Sequence, residues 1–387
     1  MTVALGSNRL FDSGVLKGRR IGVVANPASI DGSFRHVVDR AASAPGVTLA
    51  AVFGPQHGFR ADVQDNMIES PHVRDARRRA PVYSLYGETR EPTSEMLAGL
   101  DALVIDLQDV GARIYTFVYT MANCLRAAAR HGVPVIVCDR PNPIGGVAIE
   151  GPMLLEGYES FVGLFPIPMR HGMTIGELAR LFNERFGIGA ELEVVRLGGW
   201  RREMYWDQTG LPWVIPSPNM PTLETAVVYP GGVLFEGTQL SEGRGTTRPF
   251  EFLGAPWIDA EPFAARLNAL GIEGAWFRPV VFEPTFQKHA HQACGGCQVH
   301  VTERERFRPV LAGVAAMGEF HRSAPAQFAW RQPPYEYVYD RMPIDILAGS
   351  DRLRQAIDAD VPARDIAAEW TAPTDEFNRV REAFLLY

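Results

Sequence analysis

Lysine is nearly absent from this chain: of its 38 basic residues only Lys17 and Lys288 are lysines, and the rest are arginine. A Lys kept against such a skew marks a place where a compact ammonium is needed and a planar guanidinium does not serve, which singles out Lys288. Basic charge is also outweighed, with 45 acidic residues and a formal net charge of −7. That balance argues against nucleic acid or an anionic membrane as partner. No run approaches the roughly eighteen apolar residues of a spanning helix. The opening "MTVALGSNRLFDSG" lacks the layout of a secretory signal, so the expected compartment is the cytoplasm. Only four cysteines occur. Cys124 falls in a helical pattern and Cys138 in an apolar strand, so both read as buried thiols rather than disulfide partners. "GRRIGVVANPAS" has no G-x-G-x-x-G after its strand, and the chain has no Gly-Lys-Ser/Thr phosphate loop. Nicotinamide and nucleotide chemistry are thereby disfavoured, and no cofactor is expected.

With 387 residues the chain exceeds the usual size of a single core and predicts two domains. The first half alternates buried strands with helices. "RRIGVVANPAS", "VTLAAVFGPQHG", "PVYSLYG", "LDALVIDLQDVG", "GVPVIVCDRPNP" and "LEVVRL" are near-continuously apolar, as a parallel sheet covered on both faces requires. In "TFVYTMANCLRAAARHG", Phe117, Val118, Met121, Leu125 and Ala128 form one helical face and Gly132 caps it. In "TIGELARLFNERFG", Thr174 and Glu177 have capping-box spacing, and Gly187 closes the segment. The reading is a Rossmann-like parallel sheet domain followed by a smaller α/β domain. Pro216, Pro218, Pro221 and Pro230 break the periodicity, and a loop-rich stretch is expected to about Trp257. The boundary is placed near Glu224, giving domains 1–224 and 225–387, the second with helices such as "AEPFAARLNAL" and strands such as "GCQVHVTE".

Ligands of an open parallel sheet bind beyond the carboxyl ends of its strands. The residues just past the apolar runs are Asn26, Gln56, His57, Tyr86, Asp106, Asp109, Asp139, Arg140 and Asn142. A second concentration is "EGRGTTRPFE", whose glycines allow close backbone approach and whose Arg244 and Arg248 suit a carboxylate or phosphate. "KHAHQACGGC" holds His289, His291, Cys294 and Cys297, but such close spacing needs an unusually tight loop and no second C-x-x-C completes a zinc site. No metal is expected there. "RDARRRA" reads as a solvated basic face.

Ordered along the chain stand "FGPQHGFRAD", "DLQDVGARIYT", "DRPNPIGG", "EGPMLL", "FPIPMRHGMTIGELA", "PSPNMPTLETAVVYPG", "LFEGTQLSEGRGTTRPFE", "GAPW" and "PTFQKH". From about Arg20 to the terminal "AFLLY" the chain resembles the exo-β-N-acetylmuramidase family of NamZ type, formerly a domain of unknown function. The resemblance implies removal of N-acetylmuramic acid from the non-reducing ends of peptidoglycan fragments, in a cleft between two domains. The lactyl carboxylate of that sugar would take a cationic partner from Arg170, Arg244, Arg248 or Lys288. The same motifs supply Arg60, Arg140, Asn142, His171, Asn219 and His289, and the end of the first strand Asn26, as further candidates for binding a muropeptide or amino sugar. Glycoside hydrolysis commonly uses two carboxyl groups, although a 2-acetamido group can act as the nucleophile itself. The carboxylates available are Asp106, Asp109, Glu236 and Glu242, of which Asp109 and Glu242 lie in the densest motifs. His57 and Gln56 complete the catalytic candidates.

Gln56 is the departure: many relatives carry Glu there, and an amide cannot donate a proton as a carboxylic acid does. It either orients the acetamido group while another carboxylate works, or marks a lost activity. The alternatives are therefore a catalytically silent muropeptide-binding protein and a hydrolase of another acidic amino sugar.

Overall fold

The computed structural model describes residues 2–65 and 67–387. Its centre is a seven-stranded sheet made of β1 (Arg20–Ala25), β2 (Thr48–Gly54), β3 (Val73–Asp75), β4 (Ala80–Ser84), β5 (Ala102–Asp106), β6 (Val135–Cys138) and β9 (Leu192–Val195). The order is β3-β4-β2-β1-β5-β6-β9, parallel except for the antiparallel edge strand β3. Chain order reverses between β1 and β5, which is where such sheets open a crevice at their carboxyl ends. Successive residues point to opposite faces. Ile21, Val23, Val52, Val104 and Ile136 enter one apolar layer, and Val24, Phe53, Leu103, Ile105 and Val137 enter the other. Both faces are covered, which is why these strands read as continuous apolar runs.

The helix Phe117–His131 ends at Gly132 with φ 65°, and Thr174 and Glu177 form a reciprocal capping box ahead of the helix Ile175–Arg180. β7 (Glu150–Met153) and β8 (Pro168–Arg170) make a small antiparallel pair. A second sheet follows, antiparallel and ordered β10-β12-β11, from β10 (Phe252–Ala255), β11 (Ala275–Phe282) and β12 (Cys294–Val301). The fold is thus a Rossmann-like parallel sheet domain followed by a smaller α/β domain. The larger apolar layer runs on from Ile105 and Phe117 into Val233, Phe235, Val314 and Phe320 of the second half, so the two halves share packing.

The stretch around Pro230 is not a loop but a helix, Leu223–Gly232, with Pro230 inside it and a short tight turn, Val233–Gly237, after it. All its residues except Glu224 are buried, so no amphipathic period is visible. It crosses the helix Pro309–Ser323 where Gly231 meets Gly313, and a Cβ on Gly231 would collide with the Pro309 carbonyl oxygen. The basic run "RDARRRA" forms the edge strand and its turn, and Arg78 bridges Asp39 and Asp75.

All four cysteines are free and buried. Among the described residues no helix is long and apolar enough to cross a membrane, and no three His, Cys, Asp or Glu side chains converge as a metal ion would require.

Candidate active site

A narrow recess opens beyond the carboxyl ends of β2 and β5. Gln56 and His57 after β2, the segment 114–117 after β5, Ser217, Asn219 and Met220, and Tyr229, Glu236, Arg244 and Phe250 line it. Tyr335 and Glu336 close it from a distant part of the chain.

Glu336 is 3% exposed. Its Oε2 accepts from the Tyr86 hydroxyl at 2.8 Å and its Oε1 from the Gln56 amide Nε2 at 3.2 Å. The Gln56 carbonyl in turn accepts from the Thr116 hydroxyl at 2.7 Å, so the amide is held in one orientation. Burial disfavours the charged form of Glu336 and Glu236 adds repulsion. The hydrogen bonds from Tyr86 and Gln56 offset this only in part, and the carboxyl stays above its ordinary range.

Glu236 is held differently. Arg244 Nη2 donates to its Oε1 at 2.7 Å and the Tyr335 hydroxyl to its Oε2 at 2.7 Å. Tyr335 and Glu336 are sequence neighbours, so one turn supports both carboxyl groups. In that turn Glu336 and Tyr337 have φ 45° and 65°, a region few side chains adopt, and Tyr335 and Val338 exchange backbone hydrogen bonds across it.

Arg244 spans the floor. Its second terminal nitrogen lies 3.9 Å from Glu242, its guanidinium sits 5.2 Å from the Phe250 ring, and its Nε has no hydrogen-bond partner among the described residues. His57, with φ 68°, donates from Nδ1 to the Val63 carbonyl at 2.7 Å if that nitrogen carries the proton, leaving Nε2 as an acceptor. Burial, with Arg244 adding to it, pushes its pKa down to about 4, so the ring is neutral at physiological pH. Tyr115 donates to Ser217 at 2.8 Å, and Asn219 exchanges long hydrogen bonds with Gln64.

Of the residues singled out in the sequence, Gln56, His57, Asn219, Glu236 and Arg244 therefore meet at one recess, while the others lie outside its lining. Asp109 accepts from the Gly111 amide and faces His171 Nε2 at 3.2 Å. Asp106 pairs with Arg140 at 3.0 Å, and that guanidinium also donates to Gln108 and to the carbonyls of Ala28 and Ile30. Asn26 bonds Ser29 and Gln108, and Asn142 bonds Met173 and Ile144. Arg170 donates to the Ile144 carbonyl and to Tyr205.

Glu242 is buried one layer behind the recess. Although burial opposes its charge, Lys288 and Arg244 hold its carboxyl below the ordinary range. Lys288 spends three donors, on Glu242 at 2.7 Å and on the carbonyls of Phe235 and Leu240 at 2.8 and 3.0 Å. A compact ammonium is needed there, but as scaffold beneath Arg244. His289 contacts the Gln239 carbonyl, the half-exposed Arg248 pairs with the buried Glu251, and Arg60 is exposed beside a separate hollow.

Sequence reading passed over Glu336 and Tyr335 altogether. The one signal was a carboxylate flanked by two tyrosines in "PPYEYVYD", far in sequence from any strand end of the large sheet.

Residues 21–224 match the family model described as exo-beta-N-acetylmuramidase NamZ, N-terminal, and residues 227–387 match its C-terminal counterpart. Peptidoglycan beta-N-acetylmuramidase NamZ of Bacillus subtilis (strain 168) is 45% identical over 372 residues, covering 96% of this chain and 88% of that relative. Two crystal structures of DUF1343 family proteins from Bacteroides fragilis NCTC 9343 superpose over the whole chain and 99% of their own. Their TM-scores are 0.89 and 0.74, at 34% and 26% identity.

Proposed function

The chain belongs to the exo-β-N-acetylmuramidase NamZ family, and on that premise we propose that it hydrolyses the bond holding a terminal N-acetylmuramic acid to a peptidoglycan fragment. The observation that carries this reading is the recess, where one buried guanidinium with an unused Nε stands among two carboxyl groups and a neutral imidazole. A lactyl carboxylate is the ligand group that such a guanidinium accepts. The two cations near it, Arg244 and Lys288, are matched by Glu236 and Glu242. An anionic sugar is therefore tolerated best when the third carboxyl, Glu336, is neutral.

We assign Arg244 and Asn219 to sugar recognition, and Gln56 to orienting the 2-acetamido group. Asp106, Asp109 and Glu242 become supports of the site rather than reacting groups, because none of them lines the recess and each faces a charged or titratable protein partner. The division near Glu224 belongs to the same proposal, supported by a recess whose lining comes from both sides of that point.

Incubation with a chromogenic N-acetylmuramic acid glycoside tests the reading: release of the chromophore supports it, and binding without release overturns it. The amide at Gln56 favours one other reading, a muropeptide-binding protein without turnover. That reading predicts saturable binding, no release by the wild type, and hydrolysis gained by Gln56→Glu.

A further inference from the structure

We propose that Glu336 is the proton donor of the reaction, taking the place of the carboxylic acid that Gln56 cannot be; this rests on the hydrolase reading above. Gln56 and Glu336 lie 280 positions apart yet share a hydrogen bond, so an acid on Glu336 serves the same corner of the recess that an acid at position 56 would serve. The turn that carries it is built for placement, with two consecutive left-handed residues and with Tyr335 fixed by its own bond to Glu236. Tyr86 and Gln56 hold the two carboxyl oxygens, and Thr116 holds Gln56. The group is thus oriented by three side chains while facing the cavity. Burial pushes its pKa up, and the lactyl carboxylate of a bound sugar, one more negative charge nearby, adds to that push.

In the reaction the Glu336 proton passes to the glycosidic oxygen as its bond to the anomeric carbon breaks, the bonding electrons leaving with the oxygen as an aglycone hydroxyl. Over the whole cycle the hydroxyl of water ends on the anomeric carbon and its remaining proton restores Glu336. Tyr86 is a positioning residue, and its hydrogen bond to Oε2 lowers the pKa of the acid it holds.

The test compares the wild type with Glu336→Gln and Tyr86→Phe on two muramic acid glycosides, one with a poor leaving group and one with an activated nitrophenol. A general acid is worth on the order of 10²–10⁴-fold. Glu336→Gln should lose that much on the poor leaving group and far less on the activated one. It should also lose the fall in rate on the alkaline side, and still bind free N-acetylmuramic acid, which shows that it folds. Tyr86→Phe should move the alkaline limb to higher pH. Equal losses on both substrates with the limb unchanged, or wild-type rates in Glu336→Gln, overturn the assignment while leaving the hydrolase reading intact. A wild type that binds the sugar and turns over neither glycoside fails the hydrolase reading itself and takes the assignment with it.

Discussion

Two polar clusters sit at the carboxyl ends of the large sheet, and they differ in what they face. In the first, Asp106 meets Arg140 and Asp109 meets His171, and Arg140 is wrapped by Gln108 and two main-chain carbonyls. In the second, Glu336, Glu236 and Arg244 are bound on one side and border the recess on the other. Both are dense in charge. Only the second lines the recess, so a count of polar residues at strand ends does not tell the two clusters apart. The direction of their hydrogen bonds does.

That contrast breaks first if the scaffold cluster proves catalytic. Arg140→Met leaves Asp106 charged and buried without its partner, which costs roughly 3–5 kcal/mol of stability. The measurement is denaturant unfolding beside the alkaline limb of the rate profile. Lost stability with the limb in place keeps Asp106 in the scaffold, whereas a stable variant with an altered limb moves it into the chemistry.

Lys288 sharpens the contrast one layer behind the recess. Lys288→Met strips Glu242 of its closest cation and should destabilise by about 3 kcal/mol. The pH dependence has a definite sign. The folded pKa of Glu242 lies below its ordinary 4.5, so its contribution is present above that value and is lost as pH falls through the folded pKa. Lys288→Met should therefore move acid unfolding to higher pH, and acid melts of the two proteins check it.

The smallest effect is expected at Arg248, which has a 43% exposed side chain and an ion pair with Glu251. Arg248→Ala should stay within about 1 kcal/mol and leave the rate on a muramic acid glycoside unchanged. A large fall in rate would bring the exposed arginine into substrate binding.

Much of the architecture was legible because buried parallel strands have a signature of their own: β1, β2, β5 and β6 are apolar without alternation. The helix Leu223–Gly232 was not, since burial all round erases the 3.6-residue period and Pro230 reads as a breaker. Of the residues lining the recess, Gln56, His57, Glu236 and Arg244 were visible through motif density. Asp109 and Lys288 were equally dense but lie outside that lining, Asp109 facing His171 and Lys288 bound to Glu242, because sequence shows which residues are polar but not which way they point. Glu336 was missed for the opposite reason. Its neighbours in sequence are aromatic, and its partners Gln56 and Tyr86 reach it only through the fold.

The central claim is that Arg244 receives the lactyl carboxylate of one sugar ring. Rates for the wild type and Arg244→Lys on an N-acetylmuramic acid glycoside and on its N-acetylglucosamine counterpart, which lacks the lactyl group, test it directly. The wild type should prefer the muramic acid substrate, and loss of the guanidinium fork should cut that preference by on the order of tenfold or more, the size of one charged hydrogen bond. Equal rates on both glycosides, or a preference that survives the substitution intact, would contradict it.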